Sequence, residues 1–516
     1  MLYVSIIVEM LRSRPARTVI CAIAAQAALW TFIPGWFYAG PPGNLPFVLA
    51  VGHQFQVGSA FGPPLAFWLG EIVFDLAGHH LIAVYALSQA CVATTCWAVF
   101  RLGREIVGAQ HAVLAVFAMV GISTFTVASP DFGPAILAMP LWAFALTHYW
   151  LTLQTRRQVY AIALAVELAL LLATTNAALL LVGALIAFTW FNEQSRALVF
   201  RRVWLPAGIA IAVMLGPHIY FLIKASDGFL PALARMRAPE VVVGNFATWL
   251  RLIALIAAAQ AGLIVLAGIA VPLPWTTPAP APVIVRAPPD PFGRKFIYLF
   301  ATVPALLATA VAAVLGASLP AGGTAPLIAL SGLALVVAAG DAIVLVHQRL
   351  LVAAWFGLLL GPPVLTVSAI LARPLFGVDL VVNQPATEIG RFFADSFERR
   401  IGKPLAIVAG DPRTAALIAL GAPSRPSLFL QDAPTRSPWV SIDDVRAKGA
   451  IVVWPTGDTA GTPPSALAVA FPDLVPEVPK TFARTVEGRL PLLRYGWAVI
   501  RPPAPPEPLP ETAAPK

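Results

Sequence analysis

The chain has 516 residues, of which 59% are hydrophobic and only 11% charged. A soluble globular protein carries roughly 25% charged residues, so this composition excludes one and, with a mean hydropathy of +0.80, places most of the chain in lipid. The net charge of +9 does not signal nucleic acid, because the Lys and Arg residues punctuate apolar segments as topology signals do.

In chain order, Arg12, Arg14 and Arg17 precede the first apolar run, 18–37. A bilayer core takes about 20 residues. The run exceeds a signal-peptide core and no small-residue cleavage site follows, so it is expected to be a retained first span. Further runs lie near 81–100, 109–128, 134–153, 159–175, 177–191, 203–223, 246–272, 297–317, 327–346 and 351–372, giving about eleven spans. One helix over 159–191 would overrun an ordinary bilayer, so two short helices meeting at Thr174-Thr175-Asn176 are preferred. Cys21, Cys91 and Cys96 all fall in apolar runs and read as small buried hydrophobes, with no disulfide framework.

The basic residues alternate. Arg101 and Arg104, Arg156 and Arg157, Arg196 with Arg201 and Arg202, Arg286 with Arg294 and Lys295, and Arg349 fall on one side. The loop 38–80 has no Lys or Arg, and neither do the turns 129–133 and 318–326; only the loop with Lys224, Arg235 and Arg237 breaks the pattern. The positive-inside rule then puts the N-terminus in the cytoplasm, and an odd span count puts the C-terminal segment outside.

Within 38–80, the turn Gly40-Pro41-Pro42-Gly43-Asn44 leads into a short helix over 45–56 with His53, Gln54 and Gln56 late in it. Gly62-Pro63-Pro64 breaks the chain, and 65–76, with Glu71 and Asp75, makes a second short helix. At about 12 residues neither can span, and both are expected to lie at the outer interface. Asp131, between two spans at the outer face, is a functional candidate because a carboxylate there is costly unless hydrated or paired. Its rival role is N-cap of the following helix. Glu167 and Asp341 are two more carboxylates within apolar runs, each with a structural role in bonding a neighbouring helix as the alternative. His79-His80 lacks the further ligands a metal needs.

From 376 onward the apolar runs shorten and charges return. Helix is predicted over 387–400, from Asp411-Pro412 to Leu420 and from Ser441, with strands at 404–409, 427–430 and 450–454. Alternating strand and helix point to a small α/β domain with a parallel sheet over 376–501. The Pro-rich 502–516 reads as disordered. No P-loop, G-x-S-x-G or zinc motif occurs, and no cofactor or metal is implied.

Several stretches stand in a telling order: Gly58-Ser59-Ala60-Phe61-Gly62-Pro63-Pro64-Leu65 followed by Phe67-Trp68-Leu69; Arg101-Leu102-Gly103-Arg104 as an Arg-rich turn closing a span; Ser129-Pro130-Asp131; and, near the C-terminus, 404–411, Arg436-Ser437-Pro438-Trp439 and Arg494-Tyr495-Gly496-Trp497. This order resembles the bacterial GT-C glycosyltransferases of family 39. Relatives of that family include protein O-mannosyltransferases, aminoarabinose transferases of lipid A and rhizobial lipopolysaccharide sugar transferases. The resemblance implies a polytopic α-helical membrane domain over 1–375 with a helical outer-face loop at 38–80, and a periplasmic α/β domain after it. It also implies transfer of a sugar from a polyprenyl-phosphate donor to an envelope lipid, glycan or protein acceptor at the periplasmic face of a bacterial inner membrane.

Two departures bear on the site. Counting back from Gly58 and Pro63-Pro64, the family's catalytic Asp falls on Asn44, which is no general base. The lipid-phosphate Lys of many relatives falls on Asn176, leaving the phosphate to Lys224, Arg235 or Arg237. Asp131 is then the leading catalytic acid, with Asn44 beside it and Glu71 and Asp75 as alternatives. His53, Gly62, Pro63, Pro64, Glu71 and Asn176 complete the expected substrate-binding set. The alternative is a catalytically silent relative that binds lipid-linked glycan or scaffolds an envelope complex; no internal repeat favours a transporter.

Overall fold

The computed structural model describes residues 9–57, 61–193, 246–271, 282–317, 319–320, 322–430 and 437–503, with scattered positions between 196 and 223. Lys224, Arg235, Arg237, Arg201, Arg202, Arg436, most of the 203–223 run and the tail from 504 lie outside the described residues. The chain divides into two compact units, residues 1–383 with 488–490, and 384–487 with 491–516.

The first unit is helical: α1 (Pro15–Phe37), α2 (Leu45–Gly52), α3 (Leu65–Leu76), α4 (Leu81–Val107), α5 (Ala109–Met119), α6 (Pro134–Thr155), α7 (Gln158–Leu172), α8 (Ala178–Phe191), α9 (Phe246–Ala259), α10 (Ala261–Ala270), α11 (Pro291–Val314), α12 (Ser331–Ala338) and α13 (Gln348–Ala372). Proline in the first turn starts α1, α6 and α11, where its missing N–H costs nothing. Among the described residues five helices are long and apolar enough to cross a membrane, or six if α9 and α10 count as one broken span. The most apolar window of α6 is 78% buried and that of the last span only 11%, so among the described residues α6 is central and α13 is largely exposed. Where α6, α8 and α11 meet, Tyr149 stacks on Phe296 at 6.2 Å, Trp150 lies 5.2 Å from the same ring, and Phe188 and Phe300 close the cluster.

The structure separates 159–191 into α7 and α8, which meet at the Thr174–Asn176 turn. Elsewhere it corrects the apolar-run reading. The run 246–272 is not one straight helix: α9 and α10 are bent by 60° at Gln260. There the backbone of Gly262 packs against that of Gly121, an approach any Cβ at either position would block. The run 327–346 yields only the short α12. It stops at Gly340, whose φ of +95° suits glycine alone, and the chain then pairs β2 (Ala342–Val344) antiparallel with β1 (Val283–Val285). Asp341 has left the apolar run altogether, and its carboxylate accepts a 3.0 Å bond from Arg286 Nε. Arg101-Leu102-Gly103-Arg104 is no turn but the last part of α4. A Cβ on Gly103 would lie 3.0 and 3.1 Å from side-chain atoms of Ala112 and Leu333, so the glycine lets α4 pack closely on α5 and α12.

The second unit holds α14 (Ala386–Ile401), α15 (Pro412–Gly421), α16 (Ile442–Lys448), α17 (Ser465–Ala470) and a sheet of order β4-β3-β5-β7-β6. The strands are β3 (Ile407–Gly410), β4 (Ser427–Phe429), β5 (Ala450–Pro455), β6 (Lys480–Phe482) and β7 (Leu493–Ile500). Pairs β3–β4 and β3–β5 are parallel, as the alternation of strand and helix predicts. Pairs β5–β7 and β7–β6 are antiparallel, so the sheet is mixed. Asp411 caps α15 through a 2.9 Å bond from Thr414 N, and Ser441 with Asp444 forms the reciprocal capping box at α16.

Candidate functional site

At the end of the first unit where α1 finishes and α4 and α6 begin, Asn44 and Asp131 meet. The Asn44 backbone N–H donates to Asp131 Oδ1 at 3.0 Å. Gly43 makes this possible: its φ is +50° and the place of its missing Cβ is filled by the Asp131 carboxylate, 2.8 Å from Oδ1 and overlapping Oδ2. Asp131 does not cap the helix that follows it. The N-cap of α6 is Gly133, without a side-chain bond; the carboxylate is turned instead to the start of α2, 87 residues away in sequence.

Two further contacts tie the loop 129–133 to α2 and α3. Gly70 of α3 faces the Phe132 ring, which a Cβ there would meet at 3.2 Å, and Gly133 packs against Val48 of α2. Between α2 and α3, His53 Nδ1 bonds Glu71 Oε1 at 2.9 Å, with the Glu71 side chain fully buried and His53 35% exposed. A buried carboxylate requires such a partner, because desolvation alone would make its charge costly. After the Gly62-Pro63-Pro64 turn, Leu65 N donates to Ala173 O at 3.0 Å, which joins this turn to the one that holds Asn176. Asn176 itself is exposed, above buried Thr174 and Thr175.

Asn44, Asp131, His53, Glu71 and the Gly62–Pro64 turn therefore belong to one packed set, with Asn176 one backbone bond beyond it. Cavities of about 720 and 820 Å³ lie elsewhere in this unit and are lined by none of these residues. Among the described residues no group of three His, Cys, Asp or Glu could hold a metal ion. Glu167 lies 2.6 Å from His148 Nδ1 between α6 and α7, and His79 Nε2 lies 3.1 Å from Asp75. Both are local pairs.

A polar row beneath Asp131 is not evident from the run pattern. Gln89 Nε2 donates to Ser129 Oγ at 2.8 Å, Ser129 Oγ donates to Thr126 O, and Gln26 Nε2 donates to Phe125 O. Tyr85 OH, Ser88 Oγ and Gln89 Oε1 are buried without a partner among the described residues. The Tyr85 ring meets that of Tyr38 edge to face at 6.2 Å. The signal was available: Tyr85, Ser88 and Gln89 recur at i, i+3 and i+4 on an otherwise apolar helix, one face of a 3.6-residue period.

The comparisons with known proteins agree with this architecture. Residues 62–221 match the family described as dolichyl-phosphate-mannose-protein mannosyltransferase, a stretch that includes the Gly62–Pro64 turn, Asp131 and Asn176 but not Asn44. Among solved structures, ArnT from Cupriavidus metallidurans bound to undecaprenyl phosphate superimposes with a TM-score of 0.63 at 12% identity, covering 94% of this chain and 99% of that one. The fold is GT-C. The apo form of the same ArnT (TM-score 0.46, 14% identity, 94% and 99% covered) and an Archaeoglobus fulgidus oligosaccharyltransferase (0.42, 12%, 80% and 64%) superimpose less well. No curated protein sequence matches. A GT-C membrane body with a sheet-containing C-terminal domain is thus the architecture that the motif order had implied.

Proposed function

We propose that this chain is a membrane glycosyltransferase. It moves a sugar from a polyprenyl-phosphate donor to a hydroxyl of an envelope lipid, glycan or protein at the periplasmic face of a bacterial inner membrane, with the N-terminus cytoplasmic and the C-terminal domain periplasmic. The observation that carries the reading is the Asp131 carboxylate held against the Asn44 N–H at the end of the spans whose first loop is bare of Lys and Arg. In the reaction the acceptor oxygen forms a bond to the anomeric carbon, the bond from that carbon to the phosphate oxygen breaks, and the polyprenyl phosphate leaves with the electron pair. Asp131 takes the acceptor proton or orients the hydroxyl. The Asn44 amide, His53 and Glu71 of the outer helices, the Gly62-Pro63-Pro64 turn and Asn176 line the reacting groups, and Lys224, Arg235 and Arg237 hold the departing phosphate by charge. The undecaprenyl phosphate named with ArnT fits such a donor.

A second reading, a silent relative that binds lipid-linked glycan, draws on one observation: Asp131 already accepts a bond from Asn44, and Asn44 stands where the resemblance calls for an acid. The experiment that separates them incubates the purified full chain in detergent with a panel of polyprenyl-phosphate sugars and follows donor loss. Asp131→Asn preserves an oxygen to accept the Asn44 N–H, so the protein stays folded. Under the enzyme reading it abolishes turnover. Absence of turnover by the wild-type chain, with turnover gained in Asn44→Asp, supports the silent reading; no turnover by any of the three removes the proposed site.

A further inference from the structure

At the opposite end of the same helices lies a polar cavity of about 720 Å³. Its lining includes Trp150 and Gln154 near the end of α6, roughly 24–30 Å along the helix axis from the Pro134 end where Asp131 sits, at 1.5 Å per residue. It is therefore separate from the Asn44–Asp131 site. Two helices begin at its wall. The first helical bond of α5 is Ala112 N to Gly108 O, and that of α11 is Arg294 N to Asp290 O. The N–H groups of residues 109–111 and of 292 and 293 precede those bonds, and neither helix has a side-chain cap. Each such N-terminus carries partial positive charge and free donors.

Two buried side chains on the same wall support an anionic ligand independently. The Arg286 side chain is 4% exposed, and its Nε is used by Asp341 at 3.0 Å. Its NH1 is buried with no partner among the described residues. The His111 ring, also buried, leaves Nε2 without a partner among them. A guanidinium N–H is a donor only, and leaving a buried donor of a charged group unmet is costlier than leaving a neutral one so. The carboxylates at the rim are Glu105, which pairs with Arg104 at 3.2 Å, and Asp290 at the start of α11. Arg286 is thus left one donor in surplus, beside the N-termini of α5 and α11.

We propose that this cavity is a binding site for a phosphate group, carried by the headgroup of a membrane lipid. The lipid is favoured over a free ion because the two-stranded β1–β2 sheet is shared by two cavities. Val285 and Arg286 line the polar one, and Ala342–Leu345 line the 820 Å³ groove, whose other residues are almost all apolar side chains, most of them from α1, α5, α10, α12 and α13. A phosphate-bearing amphiphile meets donors beside β1 and acyl-compatible surface along β2. The site is distinct from the donor site of the proposed transferase reaction, and its occupancy does not depend on turnover.

The test uses the full chain in phosphate-free detergent micelles and isothermal titration with three probes: dioctanoyl phosphatidylglycerol, dioctanoyl glycerol and inorganic phosphate. Saturable binding of the phospholipid, none of dioctanoyl glycerol, and at least tenfold weakening in Arg286→Gln are expected, with Asp131→Asn unaffected. Arg286→Gln leaves Asp341 without its partner; if that variant does not fold, Arg286→Gln with Asp341→Asn removes both charges and is read in its place. Inorganic phosphate binding as tightly as the phospholipid, with the same Arg286 dependence, upholds the phosphate site and assigns it to the free ion. Equal binding of phosphatidylglycerol and dioctanoyl glycerol, or phospholipid binding indifferent to Arg286, overturns the proposal.

Discussion

Gly43→Ala tests how the Asp131 carboxylate is held. The new methyl would lie 2.8 Å from Oδ1 and overlap Oδ2, so Asp131 must withdraw and the 3.0 Å bond to Asn44 N is lost. Loss of a hydrogen bond to a charged group costs about 1.5–3 kcal/mol, and an alanine held at positive φ costs roughly 1–2 kcal/mol more. The single variant should therefore lose about 2.5–5 kcal/mol, and Asp131→Ala about 1.5–3 kcal/mol. In the double variant the hydrogen bond is lost only once. Its cost should fall about 1.5–3 kcal/mol short of the sum of the singles. Denaturant titration of the full chain in mixed micelles gives the cycle, and hydrogen exchange at the Asn44 amide should lose protection in both singles. Additivity within about 0.5 kcal/mol, or an Asn44 amide that stays protected in Asp131→Ala, would refute the reasoning.

The remaining expectations follow from the paired groups. His53→Ala strips the fully buried Glu71 carboxylate of its 2.9 Å partner, whereas Glu71→Gln removes the charge and keeps an oxygen for the imidazole; the first should cost about 2–4 kcal/mol and the second under about 1 kcal/mol in the same titration. In the C-terminal domain, hydrogen bonds from the Ser441 backbone and hydroxyl, with Lys448 beside them, lower the Asp444 pKa to about 2. Its folded value lies below the ordinary carboxylate value of about 3.9, so its stabilisation is complete above that value and is lost as pH falls through about 2. Carboxyl carbon NMR of Asp-labelled protein should show this, and Ser441→Ala should move the midpoint upward.

How much could be read beforehand depended on whether the cause was local. Asp411-Pro412 and Ser441 with Asp444 act within one turn, so their helices start where the residues indicate. Leu65–Leu76 is bounded by the Pro63-Pro64 break and kept its limits. By contrast, β7 runs between β5 and β6 with five of its eight residues buried. A strand covered on both faces shows no alternation, so nothing in 493–500 announced it. The break at Gln260 and the unwinding at Gly340 hide inside uniform apolar runs because their causes, Gly121 and Arg286, lie far away in the chain. At the site, the turn around Asp131 was recognisable as a place where a carboxylate needs a reason. That the reason is the N–H of Asn44, admitted by a glycine 88 positions earlier, is a tertiary fact.

The mixed sheet also fixes an order of events on the ribosome. Strands β3, β4 and β5 emerge first and can pair among themselves, yet β5, the six residues Ala450–Pro455, has β7 as its second neighbour along its whole length. Until residues 493–500 have emerged as well, this apolar edge is bare. At about 5–20 residues per second the interval lasts a few seconds, long enough for an open strand to recruit a neighbouring nascent chain. A premature stop anywhere between 456 and 492 would make that interval permanent, and such a product should appear as aggregate or be degraded rather than persist as a shortened protein.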